Sequence, residues 1–150
     1  MYLEDYKIGK IYKLKSVYID KKDIIKYAKK YDPRPFHISR EKANETRFKK
    51  LFASGFMTLN LCWLQWVNTG FDEKGMIAGV GIENLVWKNP VFEGDTLFPS
   101  VEIYDIKRSK SKPNGIVTFK LYAENQDGNE VISCLLKALV SENLENSYEK

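Results

Sequence analysis

The sequence is poor in cysteine, has one histidine and contains no long apolar run, and each scarcity removes a class of function. Two cysteines, Cys62 and Cys134, do not make a metal-thiolate set. Both lie in apolar segments, where a reducing compartment keeps them as buried thiols, so neither a disulfide nor a metal site is expected. With a single histidine in the chain, any imidazole chemistry runs through His37. The best apolar candidate, 52–67, is interrupted by Ser54, Thr58, Asn60 and Gln65, short of the ~18 uncharged apolar residues of a membrane span. The opening Met1-Tyr2-Leu3-Glu4-Asp5 carries early acids in place of the basic-then-apolar order of a secretory signal. No membrane partner and a cytoplasmic location are therefore expected. A phosphate-cradling glycine loop and a dinucleotide fingerprint are also missing, which argues against the cofactors those loops bind. Charge of one sign is scarce too: the net charge is +4, with lysines scattered among acids except at Lys107-Arg108-Ser109-Lys110-Ser111-Lys112. That cluster lacks the paired aromatics and wider basic face of a nucleic-acid module and reads as a solvated loop, so no nucleic-acid partner is expected.

What is present is enough for one core. Hydrophobic residues are 43% of 150 and aromatics 13%, which predicts one globular domain over residues 1–150. Tyr12, Leu14, Val17 and Ile19 alternate imperfectly, as in an edge strand. Asp20 can cap a helix in which Ile24, Tyr27, Ala28 and Tyr31 fall at helical spacing until Pro33 ends it. The stretch from Asp32 to His37 reads as a stiff non-helical connector, and Ser39 as the cap of a short helix through Glu45, with Glu41 in its first turn. Residues 56–67 form a helix apolar on nearly every face, which predicts burial. Four β segments follow, near 77–87, 96–106, 116–125 and 131–141. Between them lie Asn89-Pro90, Glu93-Gly94-Asp95, Pro113-Asn114-Gly115 and Gln126-Asp127-Gly128-Asn129. The last two suit tight reversals with positive backbone angles, and such short links predict antiparallel neighbours. The pattern is α+β, with an antiparallel sheet wrapped around one buried central helix and a polar tail, 142–150, that should fray.

Chemistry narrows to a few residues. Ala53-Ser54-Gly55-Phe56 is not a nucleophile elbow, which discounts a serine hydrolase. Asp32 precedes His37 by five positions, with Pro33 and Pro35 fixing two φ angles between them. A carboxylate and an imidazole that reach one water can divide the proton transfers of a hydration, although an Asp before Pro is commonly a turn former. Gly55 opens the apolar helix, where free N–H groups at the positive dipole end can stabilise an oxyanion; a glycine there can equally serve close packing.

These residues carry a resemblance. Tyr31-Asp32-Pro33-Arg34-Pro35-Phe36-His37 resembles the hydratase motif of MaoC-like proteins, the (R)-specific enoyl-CoA hydratases and their dehydratase relatives. Leu51-Phe52-Ala53-Ser54-Gly55 is similar to the family's entry into its central helix, and Asn89-Pro90-Val91-Phe92-Glu93-Gly94-Asp95-Thr96-Leu97 to its Pro-Val-x-x-Gly-Asp turn. The likeness runs in order from about Tyr31 to Val140. It implies a hot-dog fold, Asp32 and His37 holding a catalytic water, and the Gly55 N–H on a thioester oxygen, with Ser54 and Arg34 grouped with Gly55 as oxyanion and substrate-binding residues. The substrate implied is an acyl-CoA or acyl-carrier thioester, with no cofactor, in a homodimer or higher even oligomer whose sheets join side by side. Three positions depart from the family pattern and bear on the substrate: Arg34 where Asn is common, Ser54 where His is common, and Trp63 where some hydratases carry Ser. Arg34 suits a substrate carboxylate or a CoA phosphate, and Trp63 with Trp66 a shortened acyl pocket, unless they are plain surface and core. The rival readings are a hot-dog thioesterase and a non-catalytic acyl-CoA-binding protein.

Overall fold

Asp20 starts the helical part of the chain as its side chain allows: the carboxylate accepts from the Lys22 N–H at 3.2 Å and caps α1, Lys21–Tyr31. Ahead of it, β1 (Ile11–Lys13) and β2 (Val17–Tyr18) each pair with the later strand β4 (Thr96–Arg108). The computed structural model describes residues 1–147. After α1 come α2 (Pro35–Ile38) and α3 (Arg40–Asn44), the latter capped by Ser39, whose hydroxyl accepts from the Lys42 N–H at 3.3 Å. The segment expected to be a non-helical connector is thus half helical. Pro35 sits at the first helical turn, where its missing N–H has no partner to lose and its fixed φ suits the helix, so this proline starts α2.

The long helix α4, Gly55–Val67, buries Met57, Leu59, Cys62 and Trp66, with its neighbours on β4 and β5. Burial is one-sided: Phe56, Leu64 and Val67 are exposed, contrary to the all-round burial expected from an apolar sequence. Four long strands complete the chain: β3 (Met76–Trp87), β4 (Thr96–Arg108), β5 (Asn114–Glu124) and β6 (Glu130–Ser141). With β1 they form an antiparallel sheet in the order β1-β4-β5-β6-β3. Alternate residues of β4 and β5, such as Val101, Ile103, Val117, Phe119 and Leu121, turn inward onto α4, and this layer is the core. The result is the α+β hot-dog arrangement, an antiparallel sheet packed on one central helix.

Two details of the links differ from expectation. The β3–β4 connection is not a hairpin, because β3 pairs with β6 and ends the sheet; the chain crosses from that edge back to β4. At Pro113-Asn114-Gly115 neither Asn114 nor Gly115 adopts a positive φ, whereas Gly128 does, at 76°. The 107–112 cluster is an exposed strand end and loop, with Arg108 paired to Glu142 at 2.7 Å. Part of the tail is tied down rather than frayed: the Asn143 N–H donates to Glu4 at 2.9 Å and Leu144–Ser147 form a 3₁₀ turn. The rest of that expectation lies outside the described residues. Among the described residues no helix is long and apolar enough to cross a membrane. Both cysteines are buried free thiols; desolvation, with a smaller contribution from Cys134, pushes Cys62 up to about 12, and desolvation takes Cys134 to about 11.

Candidate active site

The site begins where α1 ends. Asp32 is the C-cap residue of α1, its N–H donating to Ala28 O at 2.9 Å, and Pro33 prevents the helix from continuing past it. The next turn is fixed by the Arg34 N–H donating to Asp32 O at 2.8 Å, and α2 then presents His37. Facing them is the segment 51–53, held against 91–93 by Ala53 N–H to Val91 O at 2.8 Å and Glu93 N–H to Leu51 O at 3.2 Å. That pinning aims the Phe52 carbonyl at the imidazole.

His37 is 5% exposed and clamped between aromatic edges, with its ring 4.6 Å from Phe36 and 4.9 Å from Phe52; those two phenyl rings stack at 5.2 Å. Its Nδ1 lies 2.7 Å from Phe52 O. A carbonyl only accepts, so Nδ1 carries a hydrogen, and in the neutral tautomer this leaves the lone pair on Nε2. Nε2 lies 3.6 Å from Oδ2 of Asp32, too far for a direct hydrogen bond but close enough for both atoms to reach one water.

Asp32 is held from two sides. Arg34 Nε donates to Oδ1 at 3.1 Å, and the Ser54 hydroxyl donates to Oδ2 at 2.7 Å. Arg34 is two-thirds exposed and directs its guanidinium at Asp32. Ser54 is the N-cap residue of α4 yet makes no side-chain cap, because its hydroxyl is committed to Asp32. The first N–H groups of α4, beginning with that of Gly55, therefore have no capping side chain. This end of a thirteen-residue helix is an electropositive donor set beside the Asp–His pair.

Gly55 and His37 line one cavity of about 380 Å³, with Thr58, Val91 and Val131 among its buried walls. Trp87, the last residue of β3, lies directly over Gly55, so that a Cβ at position 55 would fall inside the indole. Close packing is thus required of this glycine, which also opens α4 and lines the cavity. Trp63 takes no part here: it packs edge-on to Phe119 at 5.7 Å and lines a separate cavity with Met76 and Leu136. Trp66 is core, its Nε1–H donating to the buried Asp72 at 2.6 Å. Among the described residues no three His, Cys, Asp or Glu side chains are arranged to hold a metal.

Trp87, Phe52 and the Ser54–Asp32 bond carry no sequence signal of their own. A glycine at the start of an apolar helix marks a place where something approaches closely, without saying what.

Comparison with known proteins agrees with this fold. A family model described as "MaoC like domain" matches residues 5–125. An uncharacterized protein of Bacillus subtilis, YdeM, is 35% identical over 140 residues, which are 93% of this chain and 99% of that protein. The solved structure of the MaoC-like dehydratase from Rhodospirillum rubrum is 32% identical, covering 95% of this chain and 98% of its own, with a TM-score of 0.87. A structure described as a monoamine oxidase regulatory protein from Archaeoglobus fulgius is 30% identical over 95% of each chain, with a TM-score of 0.89.

Proposed function

The chain belongs to the MaoC-like domain family, and on that premise we propose that it reversibly hydrates an α,β-unsaturated acyl thioester, on CoA, to the 3-hydroxyacyl thioester. Asp32 and His37 share the proton transfers around one water. As the water oxygen bonds to C3, its proton passes to the pair, and a proton is delivered to C2; one water is added and nothing is oxidised or reduced. The enolate charge that builds on the thioester oxygen meets the N–H of Gly55, an interaction typically worth a few kcal/mol. Neither a metal nor a redox cofactor enters this scheme.

The observation that carries the reading is the convergence of three groups: Nε2 of His37, Oδ2 of Asp32 3.6 Å from it, and the uncapped start of α4, whose Gly55 lines the same cavity as His37. Either acid/base group alone would be commonplace. Together they fit a reaction that moves a proton at carbon next to a thioester.

We further infer a homodimer in the cytoplasm, assembled through β3. That strand ends the sheet, and Ile77, Val80, Ile82, Val86 and Trp87 on it are exposed. A long apolar edge with unpaired N–H and C=O groups calls for a partner strand, and a second copy joins sheet to sheet.

The test follows loss of enoyl-thioester absorbance with short and medium trans-2-enoyl-CoA, beside folded Asp32→Asn and His37→Gln variants. Turnover should fall about 10²- to 10⁴-fold in each variant. Thiol release from a saturated acyl-CoA would favour hydrolysis, and tight acyl-CoA binding without turnover would favour a binding protein.

A further inference from the structure

The cavity that holds His37 and Gly55 is electrically lopsided. Its buried walls are apolar apart from Thr58 and the imidazole, whereas its exposed rim carries Arg47 and Lys88. Lys88 is neutralised by Glu130 at 3.0 Å. Just past Arg47 the loop after α3 adds Lys49 and Lys50, and among the described residues none of the three has a carboxylate within ion-pair distance. The contrast with their neighbours is plain, since Arg40 pairs with Glu93 and Lys42 with Glu45.

These cations lie on aromatic rings. The Arg47 guanidinium sits 5.0 Å from the Phe48 ring centre, and the Lys50 ammonium 5.2 Å from that of Phe92. Phe48 in turn packs edge-on to Phe52 at 5.0 Å, the residue whose carbonyl holds His37. The turn is fixed locally: Thr46 Oγ1 donates to Ala43 O at 2.7 Å and accepts from the Phe48 N–H at 3.3 Å. Lys49 is held at φ 57°, a left-handed conformation that a lysine adopts at some cost.

We propose that this shelf of Arg47, Phe48, Lys49 and Lys50 binds the adenosine-diphosphate end of a free CoA thioester. The inference deepens the proposed function and depends on it for the thioester itself. Flat aromatic surface suits a purine face, and unpaired cations suit a diphosphate and a 3′-phosphate. The pantetheine arm then runs from the shelf into the cavity toward Gly55. A substrate tethered to a carrier protein has the same arm but no adenosine diphosphate to lie on the shelf.

The experiment compares wild type with an Arg47→Gln/Lys50→Gln double variant in two assays. Calorimetry with adenosine 3′,5′-diphosphate reads the shelf without any turnover. Kinetics with crotonyl-CoA and crotonyl-pantetheine read it through the ratio of the two kcat/KM values. The proposal expects the nucleotide to bind wild type and to bind the variant about tenfold more weakly, with the CoA-to-pantetheine ratio falling about tenfold. Binding that is weakened in the variant supports the shelf even if no enoyl thioester turns over, an outcome that sinks only the hydratase reading. Hydration by wild type with an unmoved ratio overturns the shelf and leaves the hydratase reading intact. Absence of nucleotide binding to wild type, or a crotonyl-carrier-protein substrate used better than crotonyl-CoA, also overturns it.

Discussion

The Ser54 hydroxyl and the Asp32 carboxylate are joined at 2.7 Å through Oδ2, the same oxygen that faces Nε2 of His37. This bond fixes which carboxylate oxygen points at the imidazole, and it diverts Ser54 from capping α4. A Ser54→Ala variant should therefore lower kcat about ten- to a hundredfold, the worth of one hydrogen bond to a charged group. Its stability should fall by no more than that one hydrogen bond, about 1–3 kcal/mol, because no cap is lost. Unchanged steady-state kinetics in the folded variant would remove Ser54 from the machinery.

The buried pair of Trp66 and Asp72 predicts a stability effect far from the chemistry. Trp66→Phe keeps most of the apolar volume but leaves the Asp72 carboxylate without its indole donor at 2.6 Å. A loss of about 2–4 kcal/mol is expected by urea denaturation, with Asp72→Asn in the Trp66→Phe background recovering part of it. A loss below about 1 kcal/mol would mean that Asp72 finds another partner.

The cysteines predict the alkaline behaviour of the fold. Both thiols have folded pKa values raised above the ordinary thiol value of 9.0, to about 12 for Cys62 and about 11 for Cys134. Between 9 and those values the unfolded chain loses protons that the folded chain keeps, so stability is full below pH 9 and declines as pH rises toward 11–12. Cys62→Ala/Cys134→Ala should flatten that decline. Neither native thiol should react with a disulfide reagent at pH 8 until the protein is unfolded.

Oligomeric state is checked at the sheet edge. Val80→Lys places a charge in the middle of β3, where the wild-type side chain is exposed. Light scattering should show a dimer for wild type and a monomer for the variant. A wild-type monomer, or a variant of unchanged mass, would refute assembly through this strand.

What the sequence disclosed and what it withheld separate by range. Asp20 and Ser39 were readable as caps because capping acts over two or three residues. The β4–β5 and β5–β6 neighbours were readable because short loops leave few alternatives. Pro35 misled because the same φ restriction that stiffens a connector also starts a helix, and only tertiary context chooses between them. The pairing of β3 with β6 and the exposed side of α4 were not readable, since neither strand order nor the missing neighbour of a helix face is written in local pattern. In the site, spacing and resemblance nominated Asp32 and His37. Ser54 was grouped with the oxyanion residues, yet its hydroxyl is committed to Asp32, twenty-two positions away along the chain.

The overlap of Trp87 with the space above Gly55 ties two distant positions into one packing unit. A lineage that acquires any larger residue at 55 must first, or at once, surrender the indole at 87, while a smaller residue at 87 opens the helix start to solvent without harm to the backbone. Substitutions here are expected to arrive in a fixed order, 87 before 55. A mutational survey made one position at a time would mistake that order for an absolute requirement for glycine.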